Sequence, residues 1–298
     1  MIQHPGKAAF LISKPIQLMV ALSIVQQNEW ESKPVLMILN EFNGAREIAK
    51  RLSLNLVEIQ TPIFFVSRKT GLEYIKKEKI CQLFIDSDVG LRNFITLALL
   101  KTFNLNIKIH VFEEGEATYR VDLYKGIKKH LLRFFGIGTF FGGSRFVSTI
   151  YVHQPQEYAK IFNSCGFKVR EISLSLSEFL LANYIALRAL FGIGEIVPCC
   201  KKTLCCSIYL TEWKIDFEFI SNFSKLGEDT FVKLHPHIRG GADFEGIKII
   251  EGNVPAELVL IELMKNYQIV NVYDHSSSVR RYITASNVIF KEPLAYPG

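Results

Sequence analysis

The chain has 298 residues, 49% of them hydrophobic and 21% charged. That composition excludes a disordered chain, and the length allows two domains with a sizeable core. The formal net charge of +6 fits an anionic small ligand or a membrane surface. It is too mild to call for nucleic acid as a partner.

In chain order, Ala8–Ile12 reads as a strand and Ile16–Gln27 as a helix, with a turn at Ser13-Lys-Pro15 between them. Lys14 and Pro15 interrupt the apolar run Phe10–Val25, and the remainder is too short to cross a membrane. No secretion signal is therefore expected, and the expected location is the cytoplasm, with reduced thiols. Pro34–Leu39 is a strand, Ala45–Leu52 a short helix and Gln82–Asp86 a strand ending in Asp86-Ser-Asp88. Leu91–Phe103 is a helix, Ile107–Phe112 and Thr149–Val152 are strands, and Glu178–Leu190 is a helix with Ser177 placed to cap it. Such alternation predicts a parallel α/β domain with helices on both faces.

Phe191-Gly-Ile-Gly-Glu-Ile-Val-Pro198 reads as a boundary, giving domains 1–198 and 199–298. A second alternating series follows: strands Leu204–Leu210, Thr230–Leu234, Lys248–Glu251 and Gln268–Val272, with a helix over Pro255–Lys265 opened by Pro255. Ser276–Ser278 could open a further helix. Two Rossmann-like halves facing a central cleft are the economical architecture. The chain has six cysteines. The pairs Cys199-Cys200 and Cys205-Cys206 do not have a common zinc spacing, so buried small residues at a domain junction are expected there and no metal site.

Four short motifs carry chemistry. Glu113-Glu114-Gly115 closes the strand before it. Adjacent carboxylates repel, and burial raises the pKa of either, which can poise one as a general base; a solvated acidic turn is the plainer reading. His235-Pro236-His237 closes another strand, and the proline holds the backbone rigid. An imidazolium there could neutralise a phosphate or protonate a departing oxygen; a surface turn is the alternative. Asp274-His-Ser-Ser-Ser-Val279 offers hydroxyls and free N–H groups at a helix start, an anion site or an ordinary N-cap. Glu257, early in its helix, suits the helix dipole or a ribose.

One basic segment stands apart. Lys125-Gly-Ile-Lys-Lys-His-Leu-Leu-Arg-Phe-Phe135 has four Lys/Arg residues and no acid. It suits an amphipathic segment on anionic lipid or a solvated basic loop. The glycines of Gly136-Ile-Gly138 and Phe140-Phe-Gly-Gly143 predict a mobile flap behind it, so 125–146 is the candidate membrane contact.

In combination and order, these motifs resemble the bacterial sialyltransferases, most closely glycosyltransferase family 52, the lipooligosaccharide and capsule enzymes. Phe10-Leu-Ile-Ser-Lys-Pro-Ile-Gln-Leu-Met-Val-Ala-Leu22 resembles that family's strand–Pro–Gln–helix opening. Phe112-Glu-Glu-Gly-Glu-Ala-Thr-Tyr119 resembles its acid-acid-Gly motif, Lys233-Leu-His-Pro236 its His-Pro motif and Ser276-Ser-Ser278 its serine motif. The likeness runs over most of the chain.

The resemblance implies a GT-B-like α/β fold and inverting transfer of sialic acid from CMP-sialic acid to a galactoside hydroxyl. No metal or other cofactor is implied. By the same resemblance, Glu114 is the base, with Glu113 beside it, and His235 assists the departing phosphate. Ser276, Ser277 and Ser278 with Pro236 hold the donor, and Glu257 meets the ribose. Some members draw the base from the second domain, where Glu212 and Asp216 are the candidates. The implied partners are CMP-sialic acid and a glycan ending in galactose. A homodimer and peripheral contact with the inner face of the plasma membrane are compatible with the sequence. Related readings are transfer of another CMP-linked nonulosonic acid or Kdo, and a non-catalytic nucleotide- or glycan-binding module.

Overall fold

A computed structural model of the chain describes residues 3–54, 61–162, 168–172, 175–194, 204–212, 214–223, 229–236, 238, 247–275 and 277–292. Contacts divide it into two compact units, Met1–Glu41 with Ala45–Phe179 and Phe42–Gly44 with Leu180–Gly298. The expected boundary at 198/199 lies outside the described residues.

The first unit runs β1 (Gln3–His4), β2 (Ala8–Ile12), α1 (Pro15–Gln27), β3 (Glu29–Trp30), β4 (Val35–Leu39), α2 (Ala45–Ser53), β5 (Ile63–Val66), α3 (Arg68–Lys77) and β6 (Gln82–Ile85). It continues with α4 (Leu91–Phe103), β7 (Lys108–Phe112), α5 (Gly126–Phe134), β8 (Val147–Val152), α6 (Pro155–Phe162), β9 (Lys168–Glu171) and the start of α7 (Leu176–Ala182), which runs on into the second unit at Leu180. Seven strands form one sheet in the order β5-β4-β2-β6-β7-β8-β9, parallel throughout. The chain first steps outward through β4 and β5, then returns to the other side of β2 at β6. The switch point is the gap between the carboxyl ends of β2 and β6.

Both faces of this sheet are covered, as a parallel sheet requires. Ala9, Leu11, Leu83, Ile109, Val111 and Ile150 pack with Ile75 of α3, Leu97 and Leu100 of α4 and Tyr158 of α6. The alternate residues face an aromatic layer. Phe84 stacks on Phe10 at 4.2 Å between centroids and on His110 at 4.6 Å, and His4 stacks on Trp30 at 4.3 Å. Period-2 alternation thus places apolar residues on both sides, and an unbroken apolar run results.

The second unit contains α8 (Tyr184–Phe191), β10 (Cys205–Leu210), α9 (Phe217–Phe223), β11 (Asp229–Lys233), β12 (Lys248–Ile250), α10 (Ala256–Asn266), β13 (Ile269–Asp274), α11 (Val279–Tyr282) and β14 (Val288–Lys291). Its five strands are ordered β12-β11-β10-β13-β14 and are all parallel. The order reverses beside β10, the same pattern as in the first unit. Tyr209, Val232 and Leu234 pack against Phe219, Ile220 and Phe223 of α9. Residues Leu258–Ile261 and Leu263 of α10 are buried. The protein is therefore α/β, with two parallel sheets, each flanked by helices.

Three local expectations are corrected. The single helix over Glu178–Leu190 is two helices, α7 and α8, separated at Asn183. Ser175 caps α7, not Ser177: the Glu178 N–H donates to Ser175 Oγ at 3.2 Å and the Ser175 N–H to Glu178 Oε2 at 3.0 Å, a reciprocal capping box. The glycine-rich stretch behind α5 is packed and not a flap. Phe140 and Phe141 are buried, Phe140 stacks on Phe162 at 4.4 Å, and the buried Asp88 carboxylate accepts the Gly142 and Ser144 N–H groups at 2.7 Å each. Cys206 is buried and Cys205 half-buried, both as free thiols; Cys199 and Cys200 lie outside the described residues. Among the described residues no helix is long and apolar enough to cross a membrane.

Candidate active site

In the first unit, polar side chains collect at the carboxyl ends of β2, β6 and β7, where open α/β sheets bind ligands. Ser13 follows β2, and its Oγ donates to Asp86 Oδ2 at 2.6 Å, just beyond β6. Gln17, fully buried in the first turn of α1, accepts the Ser13 N–H at 2.8 Å. Pro15 opens α1, where a missing N–H costs nothing. Arg68, at the start of α3, is bidentate to Glu41 at 2.8 Å through both nitrogens and lies 3.6 Å from Asp86. These contacts raise the Arg68 guanidinium and hold the Glu41 carboxyl below its ordinary range. A cavity of about 560 Å³ opens alongside, lined by Arg68 and Arg92 over an apolar floor that includes Leu11, Leu83 and Ile85.

Glu113 and Glu114 follow β7 and have opposite environments. Glu113 is fully buried. It accepts the Tyr119 hydroxyl at 2.8 Å and the His153 N–H at 2.7 Å, so it ties the end of β7 to the end of β8. Glu114 keeps a side chain 12% exposed and pairs with the Lys14 ammonium. Burial raises its pKa above the ordinary carboxylate value, and Lys14 opposes that rise. Gly115 makes the turn, with φ 87°, a conformation that disfavours any residue with a side chain. Next comes a single 3₁₀ turn, Glu116–Tyr119, whose Thr118 Oγ1 accepts the Glu114 N–H at 2.8 Å. A pair that the sequence presents as equivalent is thus split into a fully enclosed strut and a mostly buried carboxylate paired with Lys14.

In the second unit, His235 lies half-buried just beyond β11. Its N–H donates to Thr211 Oγ1 at 2.8 Å, which links the ends of β11 and β10. Gly252 packs under this turn: a Cβ there would sit 2.6 Å from the His235 carbonyl oxygen and 3.0 Å from Pro236 Cα. Glu257 is 3% exposed in the first turn of α10. Burial pushes its carboxyl up to about 7 and the equally buried Lys233 ammonium down to about 7. Lys233 Nζ donates to Leu234 O at 2.6 Å. Each of the two buried groups, Glu257 and Lys233, opposes the other's shift.

The serine motif opens a helix, as expected, with Ser278 at the N-cap position of α11. α11 is a single turn of four residues, and Ser278 makes no side-chain cap. The buried Asp274 carboxylate, at the end of β13, accepts the Ser277 N–H at 2.5 Å and pairs with Arg280 at 2.6 Å. Ser277 Oγ accepts the Val279 N–H at 3.4 Å. Ser276 and His237 lie outside the described residues. Of the two alternative bases, both exposed, Asp216 caps α9 by accepting the Phe219 N–H at 2.9 Å. Glu212 stands in the loop after β10.

The sequence does not single out Ser13, Gln17, Arg68, Asp86, Thr211, Gly252 or Arg280 as site residues. Strand ends announced some of them. Ser13 and Asp86 each follow an apolar run by one residue, the position at which a parallel sheet presents side chains to a ligand. Arg68 and Gly252 carried no signal, because their partners come from distant parts of the chain.

No family model matches the chain. No curated protein matches it in sequence. Among solved structures it is similar to the glycosyltransferase SnogD from Streptomyces nogalater, at 11% identity over 97% of this chain and 84% of that one, with a TM-score of 0.41. It is also similar to glutamate racemase isoform RacE1 from Bacillus anthracis, at 13% identity over 97% of this chain and 98% of that one, with a TM-score of 0.21. Likenesses this distant do not bear on the function.

Proposed function

We propose that the protein is a glycosyltransferase of the GT-B type that moves sialic acid, with inversion, from CMP-sialic acid to a galactoside hydroxyl of a surface glycan. The observation that carries the reading is Glu114: a carboxylate at the carboxyl end of β7, shielded from water, held above the usual carboxylate range by burial and paired with Lys14. That is the state a general base for a sugar hydroxyl requires. The order of the Glu-Glu-Gly, His-Pro and serine motifs supports the choice of CMP-sialic acid as donor and the family 52 assignment.

In this reading the acceptor binds on the first unit and the donor on the second. Glu114 takes the proton of the acceptor hydroxyl. The acceptor oxygen bonds to the anomeric carbon, and the bond from that carbon to the phosphate oxygen breaks. CMP leaves with the electron pair. Its single phosphate is met by His235, held by Pro236 after β11, and by the serine segment Ser276, Ser277 and Ser278 after β13, a charge that side chains and backbone can neutralise without a metal. Glu257 serves the ribose; its buried carboxyl would have to be uncovered as the donor binds.

The test is CMP release from CMP-sialic acid with a panel of galactosides, using wild type, Glu114→Gln and His235→Ala. Turnover by wild type and a loss of at least about a hundredfold in Glu114→Gln, the usual worth of a general base, are the expected results. Near-wild-type turnover in His235→Ala would overturn its role. Turnover by Glu114→Gln with none by Asp216→Asn or Glu212→Gln would move the base to the second unit. Release only from CMP-Kdo or another CMP-nonulosonic acid would change the donor. CMP binding with no turnover of any donor would make the chain a binding module.

A further inference from the structure

The helix α5 is built the wrong way out for a protein in water. A surface helix ordinarily turns its apolar stripe to the core, yet none of its residues is buried. Ile127, Leu131 and Phe134 follow one another at helical spacing, and Ile127 and Phe134 are 86% and 83% exposed. The cations on the other side turn back onto the protein. Lys129 Nζ donates to Val121 O at 3.1 Å and Arg133 Nε to Thr139 Oγ1 at 3.0 Å, and the Arg133 guanidinium lies 5.3 Å over the Phe140 ring. The orientation is therefore fixed by specific bonds.

A second stripe adjoins it. On α4, Leu91, Ile95 and Leu99 recur every fourth residue and are all about half exposed. The start of α4 is joined to the chain just beyond α5, where the Gly90 N–H donates to Gly138 O at 2.9 Å. Neither α4 nor α5 contains an acidic residue, while Lys125, Lys128 and Arg92 stand exposed beside the stripes.

We infer that this face of the first unit, α5 with the adjoining stripe of α4, docks on an anionic lipid bilayer. An outward apolar stripe flanked by cations is the pattern that seats an interfacial helix between headgroups and acyl chains. A second copy of the chain suits the charge less well, since a two-fold contact would set this basic face against itself. The inference is independent of the donor and of the catalytic reading, and its test uses no turnover.

The test is flotation of the full chain with vesicles of phosphatidylcholine alone and of phosphatidylcholine mixed with phosphatidylglycerol, at low and high salt. Binding to the anionic vesicles that weakens with salt is expected, and Ile127→Asp/Phe134→Asp should lower it at least about tenfold with an unchanged circular dichroism spectrum. Lys125→Glu/Lys128→Glu should lower it too and shrink the preference for anionic over neutral vesicles. Absence of flotation with either vesicle would overturn the proposal. So would equal, salt-insensitive binding to both, or sedimentation equilibrium showing a dimer that Ile127→Asp/Phe134→Asp dissolves while no vesicle binds.

Discussion

The Lys14 ammonium closes on the Glu114 carboxylate across the carboxyl ends of β2 and β7, the strands on either side of β6 at the switch point of the first sheet. Burial raises the pKa of Glu114 and Lys14 holds it back, so the ammonium sets the pH at which the carboxylate becomes a base. A carboxylate acts as a base only when ionised, so activity should rise as pH climbs through its pKa. Lys14→Met removes the opposing charge and should move the acid limb of the kcat/KM profile upward by about one pH unit or more, while Lys14→Arg should restore much of it. An acid limb indifferent to Lys14→Met would show that another group is the base.

Glu113 and Glu114 should separate cleanly by readout. Glu113→Ala removes the acceptor of two buried hydrogen bonds, from Tyr119 and from the His153 N–H, at a cost of about 2–4 kcal/mol in stability. Glu114→Gln should leave the melting temperature near wild type and lower turnover at least about a hundredfold. Thermal unfolding and CMP release, measured on both variants, check this; equal destabilisation by the two changes would contradict the split.

Gly252 should behave as a support for His235 though it reacts with nothing. A methyl group there meets the His235 carbonyl oxygen at 2.6 Å, a backbone contact that no rotamer can relieve. Gly252→Ala should cost about 1–3 kcal/mol by overpacking and, by shifting His235, weaken CMP binding in calorimetry. Unchanged CMP affinity in a folded Gly252→Ala protein would separate His235 from donor binding.

Acid stability should report on His110. Burial holds its imidazole down to about 3 from an ordinary 6.5, and His4 is lowered for the same reason. The folded state therefore keeps these rings neutral, while the unfolded chain takes up protons below about pH 6.5. Stability is full above that pH and is lost as pH falls toward the depressed value, by about 1.4 kcal/mol per pH unit for each such proton. His110→Phe, which continues the stack on Phe84, should flatten that slope in urea titrations between pH 6 and pH 4 by about one proton's worth. An unaltered slope would place the acid-sensitive group elsewhere.

Much of the architecture was legible in the sequence. Ala8–Ile12 and Leu91–Phe103 coincide with β2 and α4, because a buried strand reads as an unbroken apolar run and a helix as apolar residues at its own spacing. The positions of Glu114 and His235 at strand ends were legible for the same reason. The short helix α3 and its strand β5 were not, since Ile63–Val66 is only partly buried and its pattern is weak. The supposed flap was misread because glycine permits a mobile chain and a tightly packed one alike; Asp88, far away in sequence, decided between them.

The sequence by itself determined the α/β class, the alternation that builds two parallel sheets, and which residues stand at the ends of their strands. All of these follow from short-range periodicity and from the burial that a parallel sheet demands. Only the tertiary structure decided that Glu113 is a strut and Glu114 is paired with Lys14, that Gly252 wedges the His-Pro turn, and that the stripe of α5 points outward. Those facts depend on partners brought together from distant parts of the chain, where desolvation and hydrogen bonding give identical side chains different chemistry.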